Sequence, residues 1–156
     1  MVRCNSTSRL PSINSLVILA QTDTTVGLLS QDANKLQTIK QRPALKPFIK
    51  VYKKFQTLSC ELRIPNEQKN RVRRAKKTTF IVKNMAFRVA EDSANSSQLR
   101  KSLWNYSTSA NESGKKFQNA FCEEKADIII ETEVPLHEGN SSVLYKINRK
   151  KRVRLR

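Results

Sequence analysis

The sequence predicts an α/β domain, a single unit with one mixed, twisted β-sheet flanked by helices. Three observations carry that reading. Short runs rich in β-branched residues, such as LVILA (Leu16–Ala20), TTFIV (Thr78–Val82) and DIIIE (Asp127–Glu131), have the length of buried strands. Capped or amphipathic stretches of helical length alternate with them. No internal repeat or long linker divides the chain.

Taken in order, residues 1–15 are polar, rich in Ser and Asn and without periodicity, so they read as a disordered N-terminal arm. The domain is then expected to cover residues 16–156. Leu16–Ala20 begins it as a buried strand, followed by the hydroxyl-rich loop QTDTTVG, which ends at Gly27. Asp32 is placed to cap a helix from Ala33 to about Gln41, with Ala33, Leu36, Ile39 and the stem of Lys40 inward. Pro43 stops that helix. PFIKVY (Pro47–Tyr52) alternates as a strand does, and the basic stretch from Asn66 reads as a helix. Thr78–Val82 and Ala86–Val89 are expected to be strands joined by a turn at Asn84. Ser96–Leu103 and Lys116–Lys125 read as helices; Trp104–Ser107, Asp127–Glu131, Ser142–Ile147 and Arg152–Leu155 read as strands.

The composition narrows the class of function. The chain has 156 residues, 38% of them apolar, enough for one core. No run of 18 apolar residues exists, so no membrane span is expected, and the chain reads as soluble, unexported and cytoplasmic. In that setting the N-x-S/T sequons from Asn5, Asn95, Asn105, Asn111 and Asn140 are chance matches. Cys4, Cys60 and Cys122 lie far apart, and His137 is the only histidine. That set builds neither a disulfide framework nor a zinc site, and no protein-held metal is expected. The charge is lopsided: 30 Lys and Arg against 13 Asp and Glu, a net +17. Asn66–Lys77 holds six cations and one acid, and Lys146–Arg156 holds seven cations and no acid. Such a field attracts polyanions and predicts contact with nucleic acid, although a solvated face with a loose basic tail would have the same composition.

The chain has no GxxxxGK[ST] loop, no GxGxxG and no Ser-His-Asp order. A site must therefore be built from hydroxyls, amides and cations. In IKQRP, Lys40 and Arg42 stand two apart; if the segment is extended, both point the same way and suit a phosphate or carboxylate. A solvated helix end with cations near the negative dipole terminus is the plainer reading. In STSANESG (Ser107–Gly114), Ser109 and Asn111 are also two apart and can hold phosphate or ribose oxygens, or form an ordinary turn or a Ser109–Glu112 capping box. The chain's only three glycines, Gly27, Gly114 and Gly139, each adjoin a polar loop, which fits constrained loops around one ligand.

Together these segments resemble the YrdC family, whose members include threonylcarbamoyl-AMP synthases. TDTTVG (Thr22–Gly27) resembles the family's PTDTVYG loop, IKQRPALKP its KxRPxxxP segment, and STSANESG its SANxSG signature, the most specific match. FRV (Phe87–Val89) resembles VRVP, and GNSSV (Gly139–Val143) resembles GxxST. The matches follow the family's order from about Leu16 to Arg156. The sequence departs from the pattern at Gln21 for proline, Val26 for tyrosine, Val51 for a histidine, Arg74-Ala75 for Pro-Gly and Ala90 for proline.

The resemblance implies a YrdC-like fold and a nucleotidyltransferase. It would condense L-threonine, bicarbonate and ATP into threonylcarbamoyl-AMP, releasing pyrophosphate, for modification of tRNA through partner proteins. It places the catalytic tetrad on Lys40, Arg42, Ser109 and Asn111. It places nucleotide contacts on Thr22, Thr24, Arg88, Ser141 and Arg156. Magnesium would arrive with the nucleotide. The basic face fits contact with double-stranded RNA or tRNA, and the alternative is a non-enzymatic RNA-binding or ribosome-assembly module with the same fold.

Overall fold

The computed structural model describes residues 2–4, 15–41, 47–90, 102–112 and 115–156. Among them one sheet of ten strands runs in the order β1-β8-β2-β3-β7-β4-β6-β5-β9-β10. In chain order the strands are β1 (Val2–Cys4), β2 (Ile18–Gln21), β3 (Val26–Ser30), β4 (Ile49–Tyr52) and β5 (Thr78–Val82). They continue as β6 (Met85–Val89), β7 (Trp104–Ser109), β8 (Ile128–Ile130), β9 (Val143–Ile147) and β10 (Arg152–Arg154). Pairs β2–β8, β4–β6 and β5–β9 are parallel and the other pairs antiparallel, so the sheet is mixed, as expected.

The helices are α1 (Ala33–Lys40), α2 (Phe55–Glu61), α3 (Asn66–Arg74) and α4 (Asn119–Lys125). Asp32 caps α1 as its sequence position requires: Oδ1 accepts from the amides of Asn34 at 3.0 Å and Lys35 at 3.1 Å. Strand alternation and register put the apolar residues of the sheet mainly on the helix side. Leu36 of α1 and Cys122 of α4 pack with Val17, Leu19, Val26, Leu28 and Ile129. Phe55 and Leu58 of α2 and Val72 of α3 pack with Tyr52, Phe80 and Phe87. Burying each large side chain of this kind contributes about 1.5–3 kcal/mol. A smaller cluster, Ala20, Leu29 and Ile130, lies on the opposite face.

That opposite face carries the polar residues. Register aligns Gly27 with Ser109, Ile49 with Ser107 and Val51 with Arg88. The middle of the sheet therefore presents a row of hydroxyls and one arginine away from the helices.

Several elements differ from the sequence expectation. The arm of residues 1–15 includes strand β1, antiparallel to β8, so part of it is sheet. Val26 and Gly27, read as the end of a loop, begin β3, whose five residues are all buried. A fully buried strand has no alternation to reveal it. Helix α2 was not foreseen; its N-cap, Lys54, makes no side-chain capping bond that would mark its start. Helix α4 begins at Asn119 rather than Lys116, and β7 extends to Ser109. Of the expected helix Ser96–Leu103, residues 96–101 lie outside the described residues, and Ser102 and Leu103 are not helical.

Candidate active site

The row of hydroxyls borders a cavity of about 270 Å³ whose lining includes Thr22, Thr24, Arg88, Ser109, Ser141 and Arg156. The turn between β2 and β3 forms one wall. Thr22 Oγ1 accepts from the amides of Thr24 and Thr25, both at 3.3 Å, and donates to the Thr25 carbonyl at 2.7 Å. This self-bonded turn brings Thr24 Oγ1 to 2.9 Å from Arg88 Nη1, which donates to it.

Arg88 sits on β6, 3% exposed, with Nη1 3.2 Å from Asp23 Oδ1. Its Nε is buried without a hydrogen-bond partner among the described residues. Burial lowers the pKa of Arg88 and the charge of Asp23 opposes that shift. An arginine titrates so far above neutrality that the guanidinium stays charged. The cavity wall therefore holds a desolvated guanidinium paired with Asp23 and bonded to Thr24, with one buried donor unused.

Lys40 is the last residue of α1 and only 4% exposed. Its Nζ donates to the Ser109 carbonyl at 2.9 Å, to Asn111 Oδ1 at 2.8 Å and to the Asn111 carbonyl. Ser109 Oγ donates to Asn111 Oδ1 at 2.7 Å. The ammonium thus lies behind residues 109–111 and fixes their backbone. Among the described residues the Glu112 carboxylate pairs with Lys115 at 2.7 Å, and Ser109 Oγ is engaged with Asn111, which does not match the Ser109–Glu112 capping box. Nor is the chain extended past Lys40, because Gln41 has a φ of 47° and closes the helix in the left-handed region. The idea that Lys40 and Arg42 point the same way from an extended segment therefore does not hold at Lys40, and Arg42 lies outside the described residues. Pro47, just beyond that segment, lines the cavity.

The third wall is the loop before β9, which is laced to the β2–β3 turn. His137 N donates to Gln21 Oε1 at 3.0 Å, Val26 N to the His137 carbonyl at 3.2 Å, and Gly139 N to Thr25 Oγ1 at 3.0 Å. Gln21, one of the departures from the family pattern, is thus a structural contact. The imidazole of His137 is at the surface. Beyond this loop, Ser142 Oγ lies 2.8 Å from Thr79 Oγ1 in the sheet.

Arg156 reaches the cavity through an irregularity in β10. The amides of Leu155 and Arg156 both donate to the Leu144 carbonyl, at 2.8 and 3.4 Å. Two residues facing one is a β-bulge, which rotates the strand locally. Regular alternation would have kept Arg156 on the helix side with Arg152 and Arg154. Instead its Nε and Nη2 donate to the Ser142 carbonyl at 3.3 and 3.2 Å, beside the cavity.

Of the residues singled out from sequence, Thr22, Thr24, Arg88, Ser109, Ser141 and Arg156 meet around the cavity, while Lys40 and Asn111 stand directly behind Ser109. The lining also includes Gly27, one of the three glycines beside polar loops, and Thr25, Ile49, Ser107, Thr108 and Ser142, which the sequence does not single out as site residues. Two-residue alternation along STS and PFI would have signalled Ser107 and Ile49.

No protein-family model and no curated protein sequence matches the chain. Solved structures do. P. abyssi Sua5 superposes with a TM-score of 0.72 at 19% identity, covering 90% of this chain and 52% of Sua5. A complex of P. abyssi Sua5 with L-threonine gives 0.68 at 21% identity, over 90% and 50%. E. coli YciO gives 0.71 at 19% identity, over 91% and 82%.

The chain has the fold of Sua5 and YciO.

It is the fold that the resemblance to the YrdC family implied. The chain spans about half the length of the Sua5 structures and most of YciO. In T. kodakarensis HypF the same fold matches 22% of a much longer chain, with a TM-score of 0.73 and 16% identity. Among the described residues no helix is long and apolar enough to cross a membrane.

Proposed function

We propose that the cavity binds ATP and L-threonine and that the chain is a threonylcarbamoyl-AMP synthase of the YrdC family. The observation that carries this reading is the buried Arg88 set in a wall of hydroxyls from the β2–β3 turn, β7 and the loop before β9. That arrangement suits phosphates and a carboxylate. It occurs in a chain with the fold of a protein solved with L-threonine bound.

In the proposed reaction the threonine amine adds to bicarbonate with loss of water, giving a carbamate. A carbamate oxygen then attacks the α-phosphorus of ATP. The bond to the bridging oxygen breaks, and pyrophosphate leaves with the electron pair. The step needs alignment and charge neutralisation more than a strong base. Arg88 would neutralise charge on the reacting groups, with Thr22 and Thr24 holding oxygens beside it. Ser109 would contact the nucleotide, and Asn111 and Lys40 would hold Ser109 in place. Arg156 and Ser141 would receive the pyrophosphate end. The resemblance gives Arg42 a further phosphate contact. Among the described residues the nearest carboxylate, Asp23, is paired with Arg88, so magnesium would enter as the triphosphate complex. Val51 adjoins Arg88 on the cavity side, whereas Val26 is 1% exposed within the core on the helix side. Of these two departures, Val51 is the one positioned to affect the choice of amino acid.

The test is pyrophosphate release from ATP with threonine and bicarbonate, with omission of each as a control. The proposal expects release that needs both and falls at least tenfold in Lys40→Ala. Release no greater than in that variant would sink it.

A further inference from the structure

Strand β10 ends the sheet: it stands last in the strand order, and among the described residues no strand pairs with its outer side. The run from Lys151 to Arg156 is exposed throughout. Its inner side is taken by β9 and the turn before it. Asn148 N donates to the Lys151 carbonyl at 3.0 Å, Leu155 N to the Leu144 carbonyl at 2.8 Å, and Leu144 N to the Arg156 carbonyl at 3.0 Å. Residues of an antiparallel strand turn their backbone groups alternately to one side and the other. Lys151, Val153 and Leu155 therefore bond inward, and the N–H and C=O groups of Arg152 and Arg154 point outward from the sheet.

The side chains repeat with the same period. Arg152 and Arg154 stand opposite Ile147 and Tyr145, on the helix side, and Val153 stands opposite Lys146 on the other face. The Arg152 guanidinium lies 4.8 Å over the Tyr145 ring, and Arg154 Nε donates to the Arg156 carbonyl at 3.2 Å. Both are held by neutral partners, and neither has a carboxylate partner among the described residues. On the other face Val153 and Leu155 are 51% and 53% exposed, two of the four large apolar residues left open among the described residues. The edge thus offers unpaired peptide groups, uncompensated cations on one face and apolar side chains on the other.

We infer that β10 is a docking edge for an extended acidic segment of a partner protein, which adds to the sheet as one more strand. Strand addition satisfies the outward N–H and C=O groups of Arg152 and Arg154. Carboxylates at alternate positions of that segment face the two guanidinium groups, whose forks match carboxylate oxygens two at a time. Apolar residues between them cover Val153 and Leu155. The same cations hold a second copy of this edge away, because like charges directly opposite each other destabilise a ladder. A nucleic acid could meet the cations, but it offers neither a repeating row of peptide groups for the edge nor apolar side chains for Val153 and Leu155. This inference does not depend on the activity proposed for the cavity.

The experiment is fluorescence anisotropy of a labelled peptide of alternating Glu and Val, titrated with the full chain. Two further peptides carry N-methyl groups on the Glu amides or on the Val amides, which leaves the charge intact. Only one set of amides can face β10, so one methylated peptide should bind about tenfold or more weakly and the other like the parent. Arg152→Glu/Arg154→Glu places like charges across the new ladder and should weaken the parent peptide about tenfold or more, while binding an alternating Lys and Val peptide that the wild type rejects. Its melting temperature should match the wild type. Equal affinity of the wild type for all three Glu–Val peptides would overturn the docking edge in favour of net charge. Failure of the parent peptide to bind would overturn it too, as would a hairpin RNA that binds and is lost in Arg152→Glu/Arg154→Glu while the peptide binds neither form. Self-association of the wild type that this variant abolishes would assign the edge to a second copy and overturn the proposal.

Discussion

Gly139 lies so close to Thr24 that a Cβ at position 139 would stand 2.1 Å from the Thr24 carbonyl oxygen. The loop before β9 and the β2–β3 turn, two walls of the cavity, therefore meet backbone to backbone, and only glycine permits the approach. Gly139→Ala should push the loop off the turn. We expect a loss of about 1–3 kcal/mol in urea unfolding, the usual range for overpacking, with a larger fall in ATP affinity than in stability. Gly27→Ala is the milder comparison, because its Cβ would meet Thr22 Cγ2 at 3.1 Å and the Thr108 carbonyl at 3.2 Å.

Lys40 is predicted to act by position. Its ammonium serves the carbonyls of Ser109 and Asn111 and the Asn111 side chain. Lys40→Met removes the ammonium these acceptors share; Ser109 Oγ still serves Asn111 Oδ1 and the Asn111 amide still serves the Ser109 carbonyl, so the lost charged bonds should cost about 1–3 kcal/mol, read by denaturant unfolding. Lys40→Arg should fail to restore ATP binding, since a planar fork cannot replace a compact ammonium among these acceptors. Full activity in Lys40→Arg would contradict this account.

Arg156 depends on the bulge that turns it towards the cavity. Arg156→Gln should lower kcat/KM for ATP on the order of a hundredfold, as loss of a charge-stabilising donor does, with little change in melting temperature. Arg154→Gln, on the other face, should leave that constant unchanged. Equal effects from the two variants would refute the assignment of faces.

Glu61 gives a pH test of the fold. Burial raises its pKa, but hydrogen bonds from Lys50 at 2.5 Å and Tyr52 at 2.8 Å more than offset this and hold it below the ordinary value of 4.5. A depressed carboxylate contributes stability above its unfolded pKa and loses it as pH falls through the folded one. The melting-temperature advantage of wild type over Glu61→Gln should therefore be present at neutral pH and shrink below about pH 4.5. An advantage that is constant down to pH 3 would exclude this linkage.

Much of the fold was legible because it rests on local rules. The Asp32 cap, the TTFIV–Asn84–AFRV hairpin and the DIIIE strand follow from capping, turn and β-branched patterns within a few residues. Strand β3 and helix α2 were not legible, because a uniformly buried strand lacks alternation and Lys54 supplies no capping signal. For the site, the sequence determined the residue types: threonines beside a turn, the SANESG loop, Arg88 in a strand and two basic segments. Tertiary structure decided where their groups point. Lys40 bonds the loop from behind because α1 ends there in a left-handed residue. Arg156 faces the cavity while Arg152 and Arg154 do not, because a bulge shifts the alternation. Helix α3 and the β9–β10 turn meet because Gln68 bonds the Asn148 carbonyl, while Arg156, in the same basic tail, turns to the other face. Such directions depend on long-range hydrogen bonds and register, which pair residues far apart in the chain and leave no mark in the order of the residues themselves.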